Sequence, residues 1–308
     1  MEADLLENPT FTLGPEVKER MLASYLGCAL GDALGATTEF LTLSEIAKKH
    51  GVHKEITGGG WLHLRAGRVT DDTEMNLALG RALIQARGYD GHVVANEFVL
   101  WMRAKPVDMG STVRQGIRAY IETEKLEQEE AEWMGGNGAL MRNLPSILAT
   151  IGDEEKMKEW SLAQARITHH HPDADDGLIM MAQMIHLALL KGGRAQLKTL
   201  AFAWAEKSKR WDYRRYKLSI DGYICNTVKV VLHFFFTTGD FEDCMIGIVN
   251  AGGDTDTNAA IAGMLAGAFY GLESLPKRWL KAVERKTTQE IETQVNQIWE
   301  IFHEPKII

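Results

Sequence analysis

Two short segments carry enough carboxylates and hydroxyls to do metal chemistry. The first is Gly67-Arg68-Val69-Thr70-Asp71-Asp72-Thr73-Glu74-Met75, followed by a helical run through Leu77, Leu79, Leu83 and Ile84. The second is Asn250-Ala251-Gly252-Gly253-Asp254-Thr255-Asp256-Thr257-Asn258, followed by the small-residue run 259–270. Each cluster alone reads as a helix cap, in which Thr70 or Asp71 accepts backbone N–H bonds, Glu74 reaches back, and first-turn acids complement the helix dipole. Together they offer four carboxylates, more than capping uses. If the two helix starts meet, those charges repel and favour protonation unless cations neutralise them. An oxygen-only donor set suits Mg²⁺, Mn²⁺ or Ca²⁺ rather than zinc or copper, and two ions match this many oxygens. Spacing leaves the cap and the metal centre both open.

The elements that would position these clusters are helices. From Pro15, suited to a first helical turn, Met21, Leu22, Tyr25, Leu26, Ala29 and Leu30 recur at three- and four-residue spacing. The same period runs through Val94, Phe98 and Trp101; Val113, Ile117 and Tyr120; Ile220, Ile224, Val228, Val231 and Phe235; and Ile291, Val295, Ile298 and Phe302. Only Val230 to Phe236 is β-branched and aromatic enough to suggest a strand as well. Glycines at four-residue spacing, Gly27, Gly31 and Gly35 and again Gly263, Gly267 and Gly271, make smooth ridges that let helix backbones approach closely in a core. With no tandem repeat and no Pro- or Ser-rich linker, residues 1–308 read as a single domain, 1–14 being an N-terminal extension. The glutamate-rich Ile121 to Glu132 reads as a solvated helix end or loop.

Composition narrows the function classes. The 308 residues hold 34 Lys+Arg against 42 Asp+Glu, a formal charge of −8, with 45% hydrophobic and 25% charged content. That is the profile of a soluble globular protein, and its acidity speaks against broad nucleic-acid binding, which needs clustered basic residues. Cys28, Cys225 and Cys244 are odd in number and widely spaced, so neither a disulfide framework nor a cysteine zinc site is expected. The start Met1-Glu2-Ala3-Asp4 lacks the basic residues and apolar core of an export signal, and the expected location is cytoplasmic. The apolar stretches Ile220 to Phe236 and Ala259 to Leu272 contain or abut charged residues, so no direct membrane insertion is expected.

Taken in order, Gly31-Asp32-Ala33-Leu34-Gly35 with Glu39, Thr70-Asp71-Asp72-Thr73, Gly136-Asn137-Gly138 with Met141-Arg142, Thr168-His169, and Gly253-Asp254-Thr255-Asp256-Thr257 resemble the ordered motifs of ADP-ribosylglycohydrolases across nearly the whole chain. Thr57-Gly58-Gly59-Gly60-Trp61-Leu62, Pro106-Val107-Asp108-Met109-Gly110 and Ile167-Thr168-His169-His170-His171-Pro172 are similar, more narrowly, to the branch that frees an arginine of the nitrogenase iron protein from ADP-ribose. The resemblance implies an all-α, compact, roughly orthogonal helix assembly with two Mn²⁺ or Mg²⁺ ions. It implies Thr70, Asp71, Asp72, Asp254, Asp256 and Thr257 as metal ligands, Asp72 and Asp256 being shared between the ions. It also implies regulation by a PII signalling protein and docking at an ammonium-transport protein, so that membrane association would be reversible and through a partner.

The implied reaction is hydrolysis of the N-glycosidic bond between ribose C1 and an arginine guanidinium. Asp71 is expected to position or deprotonate the water, Asp108 to meet the guanidinium or donate a proton, and Glu39 to act near the metals or at the gate. Asp108 can equally be a turn residue and Glu39 a helix-end acid. The glycine loop at Gly136, Asn137 and Gly138, ahead of a helical Leu140-Met141-Arg142, is expected to take the diphosphate on exposed backbone N–H groups. His169 is expected to line the diphosphate or ribose pocket, Trp61 the cleft, and Tyr216 to stack on adenine. His170 and His171 read as a solvated turn; three adjacent histidines diverge in direction and do not make a zinc site. Direct displacement and a ring-opened ribose both remain compatible with these residues.

Rival readings differ in visible ways. Diphosphate enzymes of the isoprenoid type carry their aspartates within helices facing an apolar cavity, whereas these sit at helix starts beside glycine. A relative acting on other ADP-ribosylated proteins or small molecules would keep the metal set but not the Pro106 to Gly110 and Gly58 to Trp61 segments. An ADP-ribose-binding member without activity would most simply have lost metal ligands, and all six are present.

Overall fold

The structure, a computed structural model, describes residues 13–217 and 221–304. Ile220 of the apolar periodic run and residues 1–12 of the expected N-terminal extension lie outside them. Among the described residues there are fourteen α-helices and no strand; the β-type pairings are two isolated bridges, Gly59 with Leu64 and Gly136 with Tyr223. The all-α expectation holds, and Val230 to Phe236 is helical, inside Ile224–Thr237. There the β-branched and aromatic side chains follow the helical period, with Val228, Val231, Leu232 and Phe235 fully buried.

The centre of the fold is an antiparallel pair, α1 (Pro15–Gly35) and α12 (Thr255–Tyr270). Every residue of α12 from Thr255 to Ala268 is buried, so this helix is wrapped on all sides rather than laid on a surface. The two backbones meet along the predicted glycine ridges. A Cβ on Gly27 would lie 2.3 Å from Gly263 O, one on Gly31 2.0 Å from Ala259 O, and one on Gly35 2.4 Å from Thr255 O. Each four-residue step up α1 is thus a four-residue step down α12, which delivers the C-terminal end of α1 to the N-terminal end of α12. Gly271 does not belong to the ridge: it follows α12 with φ +82° and open space around its missing side chain, so it ends the helix instead.

The other helices build outward from this pair. Helices α3 (Asp71–Ala86) and α14 (Arg285–Phe302) pack on α1, and α8 (Pro172–Leu189), α10 (Ile224–Thr237) and α11 (Phe241–Ala251) on α12. Helix α4 (Gly91–Arg103) covers α3, and α5 (Ser111–Thr123) packs on α4. One apolar core runs continuously from Val17 to Ile298. The glutamate-rich run after α5 is an exposed loop, as its charge predicts. Residues 138–142 are turns, and the next helix begins only at Leu144, so the expected helical stretch at Leu140 to Arg142 is absent.

Candidate metal centre and substrate cleft

The two Thr/Asp clusters meet. Thr70 Oγ1 and Thr257 Oγ1 lie 3.3 and 3.4 Å from the same oxygen, Asp72 Oδ2, so the starts of α3 and α12 share one side chain. Glu39, Asp254 and Asp256 form a second group, each offering a carboxylate oxygen within 4.8 Å of the others. Glu39 reaches it because the chain after α1 is tied to the loop before α12: Phe40 N–H donates to Gly253 O (2.8 Å) and Gly253 N–H to Leu41 O (3.0 Å).

Of these acids only Asp256 bonds a first-turn N–H of its own helix, that of Thr257 at 2.9 Å. Thr70, Asp254 and the first-turn Asp71 and Asp72 make no side-chain capping bond in their own helices. The start of α3 is capped across the core by Asp32 of α1, which accepts from Thr70 N (3.0 Å), Thr70 Oγ1 (2.9 Å), Thr73 N (3.1 Å) and Thr73 Oγ1 (2.5 Å). Glu74, the expected capping-box partner, instead pairs with Arg68 and accepts from Trp101 Nε1 at 2.8 Å. With Asp32 saturating those donors, Asp71 and Asp72 are left free for other work.

The electrostatics state what that work is. Asp32, Glu39, Asp71, Asp72, Asp254 and Asp256 are all buried. Among the described residues none of them makes an ion pair with a lysine or arginine. Burial, and then the neighbouring carboxylates, hold Asp71, Asp72 and Asp256 well above the usual range. Burial pushes Glu39 up to about 8, against the pull of the Trp61 indole N–H at 2.5 Å. Burial raises Asp32 to about 6, opposed by its four donors, and raises Asp254. Among the described residues Asp72 Oδ1 is buried without a hydrogen-bond partner. An orphaned carboxylate oxygen amid uncompensated buried acid is what divalent cations resolve, and the donors are all oxygen, so the residues fit hard ions.

Above the acids opens a cleft of about 490 Å³. It is lined by Glu39, Trp61, Asp71, Asp108, Gly136, Asn137, Gly138, His169, Asp254, Asp256 and Thr257, which gathers nearly every residue singled out by sequence. Thr70 and Asp72 lie beneath it, fully or almost fully buried. Asp108 sits on the loop between α4 and α5, and the same loop sends Gly110 N–H to Asp71 Oδ2 (3.3 Å). Trp61 is brought over Glu39 because Gly60, at φ +67°, lies so close to the end of α1 that a Cβ would be 2.1 Å from Ala36 O.

Three placements differ from expectation. Tyr216 is not among the residues lining the cleft; its ring packs on His233 and Phe234 of α10, with centroids 4.6 and 5.8 Å away. The Gly136 to Gly138 loop presents no helix start. Its Asn137 side chain instead donates to Asp254 Oδ2 (2.6 Å) and Thr227 Oγ1 (2.9 Å), fixing a carboxylate of the acidic cluster. His171 is buried rather than solvated, and its Nδ1 caps α8 by accepting from Asp173 N at 3.0 Å. Sequence reasoning gave no role to Asp32 or to Phe40, Met109 and Gly222, which line the cleft. Asp32 had one usable signal, an isolated acid among the apolar and small residues 29–35.

His169 is held in one protonation form. Its Nδ1 lies 2.8 Å from Thr168 Oγ1, which also accepts from Arg142 Nη2 at 2.8 Å. With the Arg142 bond taken on a lone pair, the single hydroxyl hydrogen of Thr168 is free to donate to Nδ1, an arrangement that puts the proton of the neutral ring on Nε2, the atom facing Gly136 and Gly138 at the cleft wall. Burial, and secondarily the charge of Arg142, pushes His169 down to about 3, so the ring stays neutral at physiological pH. In Thr168→Val the donor to Nδ1 is lost, and nitrogen NMR of the histidine ring should change from a single Nε2–H tautomer to a mixture. An unchanged tautomer would show that Thr168 does not set it.

The sequence model of the family described as ADP-ribosylglycohydrolase matches residues 13–306. The chain is 44% identical to ADP-ribosyl-[dinitrogen reductase] glycohydrolase of Rhodospirillum rubrum, over 92% of this chain and 96% of that protein. It is 29% identical to ADP-ribosylarginine hydrolase Tri1 of Pseudomonas putida (strain GB-1), over 96% and 84%. A solved structure titled ADP-ribosylglycohydrolase-related protein complex superposes with a TM-score of 0.83 at 31% identity, covering 94% of this chain and 99% of that one. With the paired acidic helix starts buried under one cleft and the match running almost end to end, the chain belongs to the ADP-ribosylglycohydrolase family.

Proposed function

We propose that the protein hydrolyses the N-glycosidic bond joining ADP-ribose to an arginine, and that its substrate is the ADP-ribosylated nitrogenase iron protein. The observation that carries the reading is the meeting of two acidic helix starts, whose four aspartates lie buried with Asp32 and Glu39 and without a basic partner among the described residues, at one cleft. The 44% identity to a glycohydrolase of dinitrogen reductase supports the choice of substrate.

Thr70, Asp71, Asp72, Asp254, Asp256 and Thr257 would hold two Mn²⁺ or Mg²⁺ ions, with Glu39 beside Asp254 and Asp256. The ions, when bound, orient the ribose hydroxyls and make water a nucleophile near neutral pH. In the hydrolysis the C1–N bond breaks, a C1–O bond forms to water, and the departing guanidine must take up a proton. Asp71, steadied by Gly110 N–H, aligns and deprotonates the water. Asp108, half-buried and raised in pKa chiefly by that burial, faces the guanidinium and manages its proton. His169 Nε2–H donates to the sugar or diphosphate from the opposite wall.

Incubating the purified protein with ADP-ribosyl-arginine iron protein and Mn²⁺ should release ADP-ribose; chelator should stop the release and added Mn²⁺ restore it. Absence of metal-dependent release sinks the reading. Asp71→Asn should lower turnover by about 100-fold or more while the protein still binds ADP-ribose; a fully active variant would remove its role. Regulation by a PII protein and an ammonium-transport protein belongs to the same proposal. No helix among the described residues is long and apolar enough to cross a membrane.

A further inference from the structure

A second groove of about 500 Å³ opens beside the cleft and shares Trp61, Asp108 and Met109 with it. Its far wall is basic. Arg114 and Arg118, one turn apart on α5, and Lys105 on the preceding loop line it, and Asp108, which also lines the cleft, is its one acid. Both arginines and the lysine are exposed, and none forms an ion pair among the described residues. Other exposed arginines, Arg65, Arg87 and Arg103, likewise form no ion pair among the described residues; what distinguishes these three cations is that they line one groove beside the cleft. In a chain of net charge −8 such a groove is a local inversion of sign. Beside the cations lie exposed apolar faces, Trp61 at 48% and Val107 at 40% exposure.

We infer that this groove receives the polypeptide that carries the modified arginine, and that it selects acidic side chains flanking that arginine. The inference rests on the reading of the cleft given above. Direction comes from continuity. His169 and Asn137 line the cleft away from the groove, whereas Asp108, the guanidinium partner, stands where cleft and groove join. The arginine side chain must leave the cleft past Asp108, so its backbone comes to rest on the surface carrying Lys105, Arg114 and Arg118. Unpaired exposed cations there raise encounter rates with an acidic partner and hold its register, while the apolar strip takes the neighbouring side chains.

The test compares two substrates that share the same bond: the ADP-ribosylated iron protein and free ADP-ribosyl-arginine. The variant is Lys105→Glu with Arg118→Glu; Arg114 is left in place because its charge also acts on Asp108. For the protein substrate kcat/KM should fall by about tenfold, mostly through KM, and the gap should narrow at high salt. For free ADP-ribosyl-arginine kcat/KM should stay within about twofold of wild type, which also certifies the fold. Equal losses on both substrates, or no loss on either, would overturn the groove assignment. Failure of the wild-type protein on both substrates would instead overturn the glycohydrolase reading on which it stands.

Discussion

Asp256→Asn should make the metal-free protein more stable and the enzyme nearly inactive. The side chain is buried among Glu39, Asp72 and Asp254, and burial followed by those charges raises its pKa well above the usual range. Asparagine has the same shape and its Oδ1 can still accept from Thr257 N, a bond of 2.9 Å, so packing is unchanged while the cost of either keeping that charge beside its neighbours or protonating it disappears. In the presence of chelator the gain should be on the order of 1 kcal/mol, seen as a rise of about 2 °C in Tm. The sign is diagnostic. If Asp256 only complemented the dipole of α12, removing its charge would lower stability with or without metal.

Adding Mn²⁺ reverses the order of the two proteins. A ligand that binds only the folded state raises Tm by mass action, and wild type should gain far more than the variant, because a site stripped of one carboxylate holds the ion at least about 100-fold more weakly. Turnover should fall by at least about 100-fold with it. A variant that kept both the Mn²⁺-dependent shift and the activity would exclude Asp256 from the metal centre.

The sequence carries this site unevenly, for physical reasons. Residue type and local spacing were enough to single out Asp71, Asp72, Asp254 and Asp256, because oxygen-rich helix starts beside glycine are a local pattern. Helical periodicity foretold α1, α3, α4, α5, α10 and α14 for the same reason. What is capped by what was not legible: Asp32 reaches Thr70 and Thr73 only after α1 and α3 pack, and no local rule links residues so far apart. The glycine ridges announced a close approach but not its register, since four-residue spacing fits several alignments and the observed one is set by total packing. Tyr216 is a further case: its ring is partly buried against His233 and Phe234, a tertiary contact that no local pattern announces.

Gly31→Ala should be among the most costly single methyls that can be added to this protein's core helices. The added Cβ would sit 2.0 Å from Ala259 O, 2.4 Å from Ala259 C and 2.8 Å from Ala260 N. These are backbone atoms of α12, so no rotamer change relieves the contact and the helices themselves must separate. Overpacking a core typically costs about 1–3 kcal/mol where side chains can shift; with backbone against backbone about 4 kcal/mol or more is expected. The intrinsic helix preference of alanine over glycine, about 1 kcal/mol, acts in the opposite direction and loses. Gly239→Ala supplies the control, since nothing lies within 4 Å of its missing Cβ; it should change stability by no more than about 0.5 kcal/mol. Denaturant unfolding of the two variants separates them. The lesion also reaches the chemistry, because α1 carries Asp32 and leads into Glu39, while α12 begins at Asp254 and Asp256. Any variant protein that stays folded should therefore bind Mn²⁺ poorly despite an intact ligand set, and a Gly31→Ala protein of wild-type stability and metal affinity would show that the two helices do not depend on this contact.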